Sequence, residues 1–292
     1  MTLSKQLKEL ISTSKLDSAA LESLIRAAIS EDLAGASDVT SVATIPDEQS
    51  AVAEFRSRKP GVIAGIPVVC AVLEICGVTD YEVKKNDGEI VSTNSLLLIA
   101  KGNTRALLLA ERTALNFLGR LSGIATLTKS WVDEVADTKV AIRDTRKTTP
   151  GLRDLEKYAV RMGGGINHRF SLSDAALIKD NHVLAAGGVA QAFKLVKTKF
   201  PNLPLEVEVD SLEQLREVVE AGADLVLLDN MSVEECRKAV EIVSGRAKLE
   251  ASGGLILSNA QAYAKTGVDY LAVGALTHSA PVLDIGLDLR ME

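Results

Sequence analysis

No apolar run in this 292-residue chain approaches the ~20 residues a bilayer span requires, so a transmembrane protein is not expected. The opening segment, MTLSKQLKELISTSKL, alternates polar and apolar residues and lacks the apolar core of a signal peptide. A soluble, cytoplasmic protein is the expectation. Cysteine is scarce: Cys70, Cys76 and Cys236 lie in apolar helix-like runs with no CxxC pair and no metal-ligand spacing, which predicts buried, reduced thiols. The three histidines, His168, His182 and His278, form no HxxxH pair, which argues against zinc and for polar or anion-binding roles. A nucleophile elbow and a P-loop are both missing, which counts against acyl-enzyme and nucleoside-triphosphatase chemistry. In a chain of formal charge −6, nucleic acid is a poorer fit, because it would need a basic face over the whole domain.

What is present is a large core. With 47% hydrophobic and 25% charged residues, disorder is not expected, and the length suits one large α/β unit or two domains. Leu16, Ala20, Leu21, Leu24, Ile25, Ala28 and Ile29 are spaced to line one helix face, which ends in the turn-rich EDLAGASDVTS. AVAEFRSR and GVIAG read as strands, and an apolar helix from about Pro67 to Ile75 is closed by Gly77. YEVKK and SLLLIAKG flank the turn signal Asn86-Asp87-Gly88. From about Arg105 to Val135 the pattern predicts one long helix or two, with Gly119 to Gly123 as the candidate break.

After Thr138 the rhythm becomes strand, loop, helix. KVAIRDT, AALIKDN, PLEVEVD, DLVLLDN, AKLEASGG and YLAVGA are short apolar runs separated by helix-like segments, as a parallel sheet demands. An open or incomplete barrel and a doubly wound sheet are the alternatives. Every run ends in polar residues or glycine: Arg143-Asp144, Lys179-Asp180-Asn181, Glu208 to Asp210, Asp229-Asn230, Ser252-Gly253-Gly254 and Gly274. In a parallel barrel those ends share one rim.

The stretch from Ile142 to His182 carries eight Arg or Lys against five carboxylates inside an acidic chain, which points to a site for a small anion. Arg153, Asp154, Glu156, Lys157 and Arg161 read as surface charges of a helix. Arg146-Lys147, His168-Arg169 and Lys179, beside glycines, prolines and strand ends, suit a ligand with several negative charges. Ser252-Gly253-Gly254 and Gly274 would let backbone N–H groups approach a phosphate, whereas Gly163-Gly164-Gly165 reads equally as flexibility or helix termination. Glu208 and Asp229, at the ends of adjacent strands, could hold Mg²⁺ brought by a phosphate substrate, or answer the basic rim electrostatically.

DTRKTTPGLRDLEKYAVRMGGGINHR, LIKDNH, EVEVD, LLDN, ASGG and VGALTHS, with GVIAG and ERTALNFLGRLSGIAT in the first half, resemble in order and spacing the quinolinate phosphoribosyltransferase family, over nearly the whole chain. One departure is Ser171, where the family usually has glycine. The resemblance implies an α/β protein: an N-terminal α/β sandwich domain over 1–115, joined by the C-terminal tail 279–292, and an open, incomplete α/β barrel with parallel strands over 116–278. It implies conversion of quinolinate and phosphoribosyl diphosphate to nicotinate mononucleotide, diphosphate and CO₂, with Mg²⁺. Arg146, His168, Arg169 and Lys179 would grip the pyridine dicarboxylate, joined by Arg112 across the interface of a homodimer, itself open to further assembly. Lys147 would serve the dicarboxylate or the diphosphate. Glu208 and Asp229 match the ribose and Mg²⁺ positions, and Ser252, Gly253, Gly254, Gly274 and His278 the 5′-phosphate pocket. The catalytic set so implied is Lys147, Lys179, Glu208 and Asp229. A related transferase acting on another small aromatic acid without decarboxylation, and a non-catalytic anion-binding homologue on the same fold, are the rival readings.

Overall fold

The structure, a computed structural model, describes residues 2–291. The chain folds as two compact units, one of Met1–Leu127, Asp154–Gly164 and Ala280–Glu292, the other of Thr128–Arg153 and Gly165–Ser279.

The first unit begins with helices α1 (Lys5–Thr13), α2 (Ser18–Leu33) and α3 (Val39–Thr44). Each starts at a polar cap, Ser4, Asp17 or Asp38, whose side chain accepts from backbone N–H groups of the first turn. Helix α3 lies in the stretch read as turns; the Asp38 cap nucleates it. Strands β1 (Ser50–Ser57) and β2 (Gly61–Val62) are followed by α4 (Ile66–Ile75), then β3 (Asp80–Val83), β4 (Ile90–Val91) and β5 (Leu96–Asn103). Helix α4 is apolar almost all round and buried from Ile66 to Glu74, as such a helix must be. Asp87, in the expected turn, accepts from the Gly65 and Ile66 N–H groups at 2.8 and 3.0 Å and so caps α4 from a distance. Burial raises its carboxyl above the usual range.

Helix α5 (Thr104–Glu134) is a single helix of 31 residues, so of the two readings the one long helix holds and Gly119 to Gly123 is not a break. Those glycines serve close approach instead: a Cβ on Gly123 would lie 1.9 Å from the Pro281 carbonyl oxygen, and Leu283 N–H donates to Gly119 at 3.0 Å. The C-terminal segment so guided forms β12 (Ile285–Met291), which pairs antiparallel with β1 in a four-stranded sheet of order β12-β1-β5-β3.

The second unit holds β6 (Ala141–Arg143); α6 (Arg153–Met162) follows in sequence but, from Asp154 on, belongs to the first unit. Helix α6 overturns part of the surface reading. Glu156 and Lys157 are completely buried, and Glu156 is paired with Arg120 at 2.8 Å. Gly163 and Gly164 end this helix, with Gly164 at φ +88°. The second unit continues with β7 (Ala176–Ile178), α7 (Asp180–Ala186), α8 (Val189–Lys199), β8 (Leu205–Val209), α9 (Leu212–Glu220), β9 (Leu225–Asp229), α10 (Val233–Val243), β10 (Lys248–Ser252), α11 (Leu257–Ala264), β11 (Tyr270–Ala272) and α12 (Ala275–His278). Its sheet is parallel, of order β6-β11-β10-β9-β8-β7. From β7 to β11 each new strand is laid beside the last in one direction, whereas a doubly wound sheet reverses at a switch point. That excludes the doubly wound alternative. Among the described residues β6 and β7 do not pair, so the barrel is open.

Cys70 and Cys236 are buried and Cys76, capping α4, is half-buried; none is bonded to another. No described helix is long and apolar enough to cross a membrane.

Candidate active site

Because side chains alternate along a strand, Glu206 and Glu208 share one face of β8, and Lys248, Glu250 and Ser252 one face of β10. The opposite positions, Val207, Val226, Leu228, Leu249, Ala251 and Leu271, are buried apolar residues. The polar set turns into a cleft of about 310 Å³ at the carboxyl ends of the strands, lined by Thr145, Arg146, Lys147, His168, Arg169, Leu177, Lys179, Glu208, Leu227, Asp229, Glu250, Ser252 and Ala272. Arg146, Lys147, His168, Arg169, Lys179, Glu208, Asp229 and Ser252 thus come together as the strand ends predict.

Charge in this cleft is unbalanced locally. Arg146 and Arg169 each leave a buried Nε without a hydrogen-bond partner. Burial, and then the neighbouring Arg146, hold the Arg169 guanidinium below its ordinary range. Two guanidiniums facing one cleft define a place for an anion, and the planar fork of each suits a carboxylate. Arg169 also donates to the Ala175 carbonyl at 3.0 Å, and the Ser171 hydroxyl joins the Asp174 carboxylate in closing the loop between them. A hydroxyl thus does loop-closing work at the position where glycine was expected.

Across the cleft, Lys179 Nζ lies 2.5 Å from Glu208 Oε2. Asp229 accepts from the Asn230 side chain at 2.7 Å. Glu208 and Asp229 project from paired strands and offer only oxygen ligands at an open mouth, a donor set that fits Mg²⁺ carried on phosphate oxygens.

The remaining expected residues lie outside the lining. Gly253, at φ +89°, sits so close to Asn230 that a Cβ would fall 2.1 Å from its Oδ1; Gly254 is open, with nothing within 4 Å. At Gly274 a Cβ would lie 3.1 Å from Lys147 Cδ and 3.2 Å from His278 Nε2, which puts these three side by side. His278 is exposed and shares a 2.6 Å hydrogen bond with Ser279. His182 accepts from Lys179 N–H at 3.0 Å, closing the first turn of α7. Arg112 is exposed on α5 in the first unit.

Sequence reasoning missed Glu206 and Glu250. Both are buried, Glu250 completely, and meet His168 and Arg143 on the barrel interior. Burial, then the Glu206 charge, push the Glu250 carboxyl up to about 8 in spite of Arg143. Asp144, also completely buried, accepts from the His168 N–H at 2.8 Å and the Asn167 side chain at 2.5 Å. The signal was present in EVEV and KLEAS, whose every second residue shares a face.

An open parallel barrel whose strand ends gather guanidiniums, lysines and carboxylates in one cleft has the chemistry to receive small polyanions. Comparisons define it further. Residues 38–122 match the N-terminal domain and residues 124–288 the C-terminal domain of quinolinate phosphoribosyl transferase. The chain is 53% identical over 271 residues to the nicotinate-nucleotide pyrophosphorylase [carboxylating] of Mycobacterium leprae, covering 91% of this chain and 95% of that one. It is 41% identical over 276 residues to the probable enzyme of the same name from Bacillus subtilis, covering 93% and 94%. The solved nicotinate-nucleotide pyrophosphorylase of Francisella tularensis superposes with a TM-score of 0.89 at 38% identity, over 93% of this chain and 96% of that one. The chain belongs to the quinolinate phosphoribosyltransferase family.

Proposed function

We propose that this chain transfers the phosphoribosyl group of phosphoribosyl diphosphate to the ring nitrogen of quinolinate, releasing diphosphate and CO₂ and leaving nicotinate mononucleotide for NAD biosynthesis. The observation that carries this reading is the Arg146–Arg169 pair, facing the same cleft as Glu208 and Asp229. The pair, with Lys147 and Lys179, supplies positive charge for a dicarboxylate. As diphosphate leaves, positive charge develops on the ribose carbon, and the two carboxylates stabilise it electrostatically. Loss of CO₂ then leaves negative charge on the ring, which the surrounding cations offset while they hold the remaining carboxylate.

In this reading Ser252, Gly253, Gly254, Gly274 and His278 receive the 5′-phosphate. Mg²⁺ would be held by Glu208 and Asp229 with the diphosphate oxygens, and would neutralise charge on the leaving group. The working assembly is a homodimer in the cytoplasm, in which Arg112 reaches the dicarboxylate bound by the neighbouring subunit. Incubating the full chain with quinolinate, phosphoribosyl diphosphate and Mg²⁺ tests the activity: nicotinate mononucleotide and CO₂ should appear in step with phosphoribosyl diphosphate consumption. Turnover of nicotinate without CO₂, or calorimetric binding of both substrates without product, would refute it.

A further inference from the structure

At the floor of the cleft lies a buried cluster in which the carboxylates Glu206 and Glu250 have no assigned part in the reaction. His168 Nε2 is 2.7 Å from Glu206 Oε2 and 3.6 Å from Glu250 Oε1. Arg143 contacts the other oxygen of Glu250 at 2.5 Å and stacks 4.6 Å from the Tyr270 ring centre. Oε1 of Glu206 and Oε1 of Glu250 are buried without a hydrogen-bond partner. The ligand atoms of His168, Glu206 and Glu250 all lie within 4.8 Å of one another, which is compact enough for a metal ion.

The far side of the imidazole decides between metal and proton. His168 Nδ1 accepts the Arg169 N–H at 2.7 Å. A ring nitrogen that accepts has its lone pair committed there, so the proton of the neutral ring is on Nε2 and is donated to Glu206. A metal would need the lone pair that this proton occupies.

We propose that Glu206, backed by Glu250, is a positioning residue for dicarboxylate recognition: it fixes His168 as the Nε2-protonated ring, and the ring holds the Arg169 backbone so that its guanidinium faces the cleft. So aimed, Arg169 acts on the ligand together with Arg146, Lys147, Lys179 and the Arg112 of the neighbouring subunit. The kinetic consequence rests on the quinolinate reading above; the protonation state of the ring does not.

With only three histidines in the chain, long-range ¹H–¹⁵N spectra of the ¹⁵N-histidine-labelled full-length protein can test this, His168→Gln identifying the signal. The expected result is one unprotonated Nδ1 and one protonated Nε2 at neutral pH, unchanged by added Zn²⁺. Glu206→Ala should let the two tautomers average and raise the KM for quinolinate by about tenfold to a hundredfold, with a smaller change in kcat and in the KM for phosphoribosyl diphosphate. Glu206→Gln, whose side-chain oxygen can still accept, should keep the tautomer and bring the KM back to within about threefold of wild type. A wild-type ring protonated on Nδ1, a charged ring, or Zn²⁺ displacing the Nε2 proton overturns the proposal. So does a wild-type tautomer and KM in Glu206→Ala. Should that variant fail to fold, the wild-type spectrum and Glu206→Gln decide. The expected spectrum from a wild-type protein that does not turn over quinolinate would overturn the functional reading instead.

Discussion

Gly253→Ala separates the two halves of the cleft. An alanine at φ +89° pays roughly 1–2 kcal/mol of backbone strain. Its Cβ would also stand 2.1 Å from Asn230 Oδ1 and 3.0 Å from Asn230 N. The backbone of Asn230 is anchored by its N–H donating to the Ser252 carbonyl at 2.8 Å, so its side chain must yield, by about 1 Å, and a shift of that size at a reacting centre costs on the order of a hundredfold. That side chain donates to Asp229 at 2.7 Å, so the carboxylate moves or loses its donor. Gly254→Ala provides the comparison, because at φ +62° it has the strain with nothing within 4 Å. Steady-state rates should show kcat/KM for phosphoribosyl diphosphate falling by about tenfold to a hundredfold more in Gly253→Ala than in Gly254→Ala. Calorimetry should show quinolinate binding to Gly253→Ala within about threefold of wild type. Equal losses in the two variants would refute the relay from Gly253 through Asn230 to Asp229. Loss of quinolinate binding would refute the division of the cleft.

Arg146→Ala and Lys179→Ala each remove a charge-assisted contact of about 1.5–3 kcal/mol, so turnover in the folded variants should fall by at least about tenfold; near-normal rates in either would sink the assignment. Glu208→Ala should leave calorimetric quinolinate binding largely intact while slowing ribosyl transfer, and a variant that no longer binds quinolinate would contradict that role. The native Glu250 carboxyl, raised to about 8, keeps a proton that the unfolded chain releases from its ordinary value of 4.5 upward, so its contribution to stability falls as pH rises through that window and levels off above it. Glu250→Gln should flatten that part of the curve of melting temperature against pH, and an unchanged slope would show that another group sets it. Gly123→Ala, with its Cβ 1.9 Å from the Pro281 carbonyl, should lower unfolding free energy by about 3 kcal/mol in urea titration; a loss no larger than that of an exposed Gly→Ala would mean that the 281–283 segment moves aside freely.

Those predictions draw on residues that differ in how far sequence exposes them. Lys179, Glu208, Asp229 and Ser252 could be read together because parallel topology alone carries the carboxyl ends of all strands to one rim, whatever their distance in sequence. Glu206 and Glu250 sit two residues earlier on the same faces, yet a charged residue in a period-2 strand ordinarily marks the solvent side; only closure of the sheet into a barrel turns that face inward. Glu156 and Lys157 show the same limit for a helix, since a polar stripe says nothing of what covers it. Gly119 and Gly123 left the choice between one helix and two open for a related reason. A glycine inside a helical pattern carries a local cost but no trace of the carbonyl, some 160 residues away in sequence, that requires it.

His168 sharpens the point. Its residue type and place suggested a polar or anion-binding role, but which nitrogen of an imidazole donates depends on which is already engaged. That is fixed by the Arg169 N–H on one side and Glu206 on the other. The neighbour in sequence and the neighbour in space must both be known before the proton can be placed. Charge type and strand-end location therefore identify which residues gather in such a cleft, while the division between those that touch the ligand and those that aim them depends on the hydrogen-bond partners beneath it.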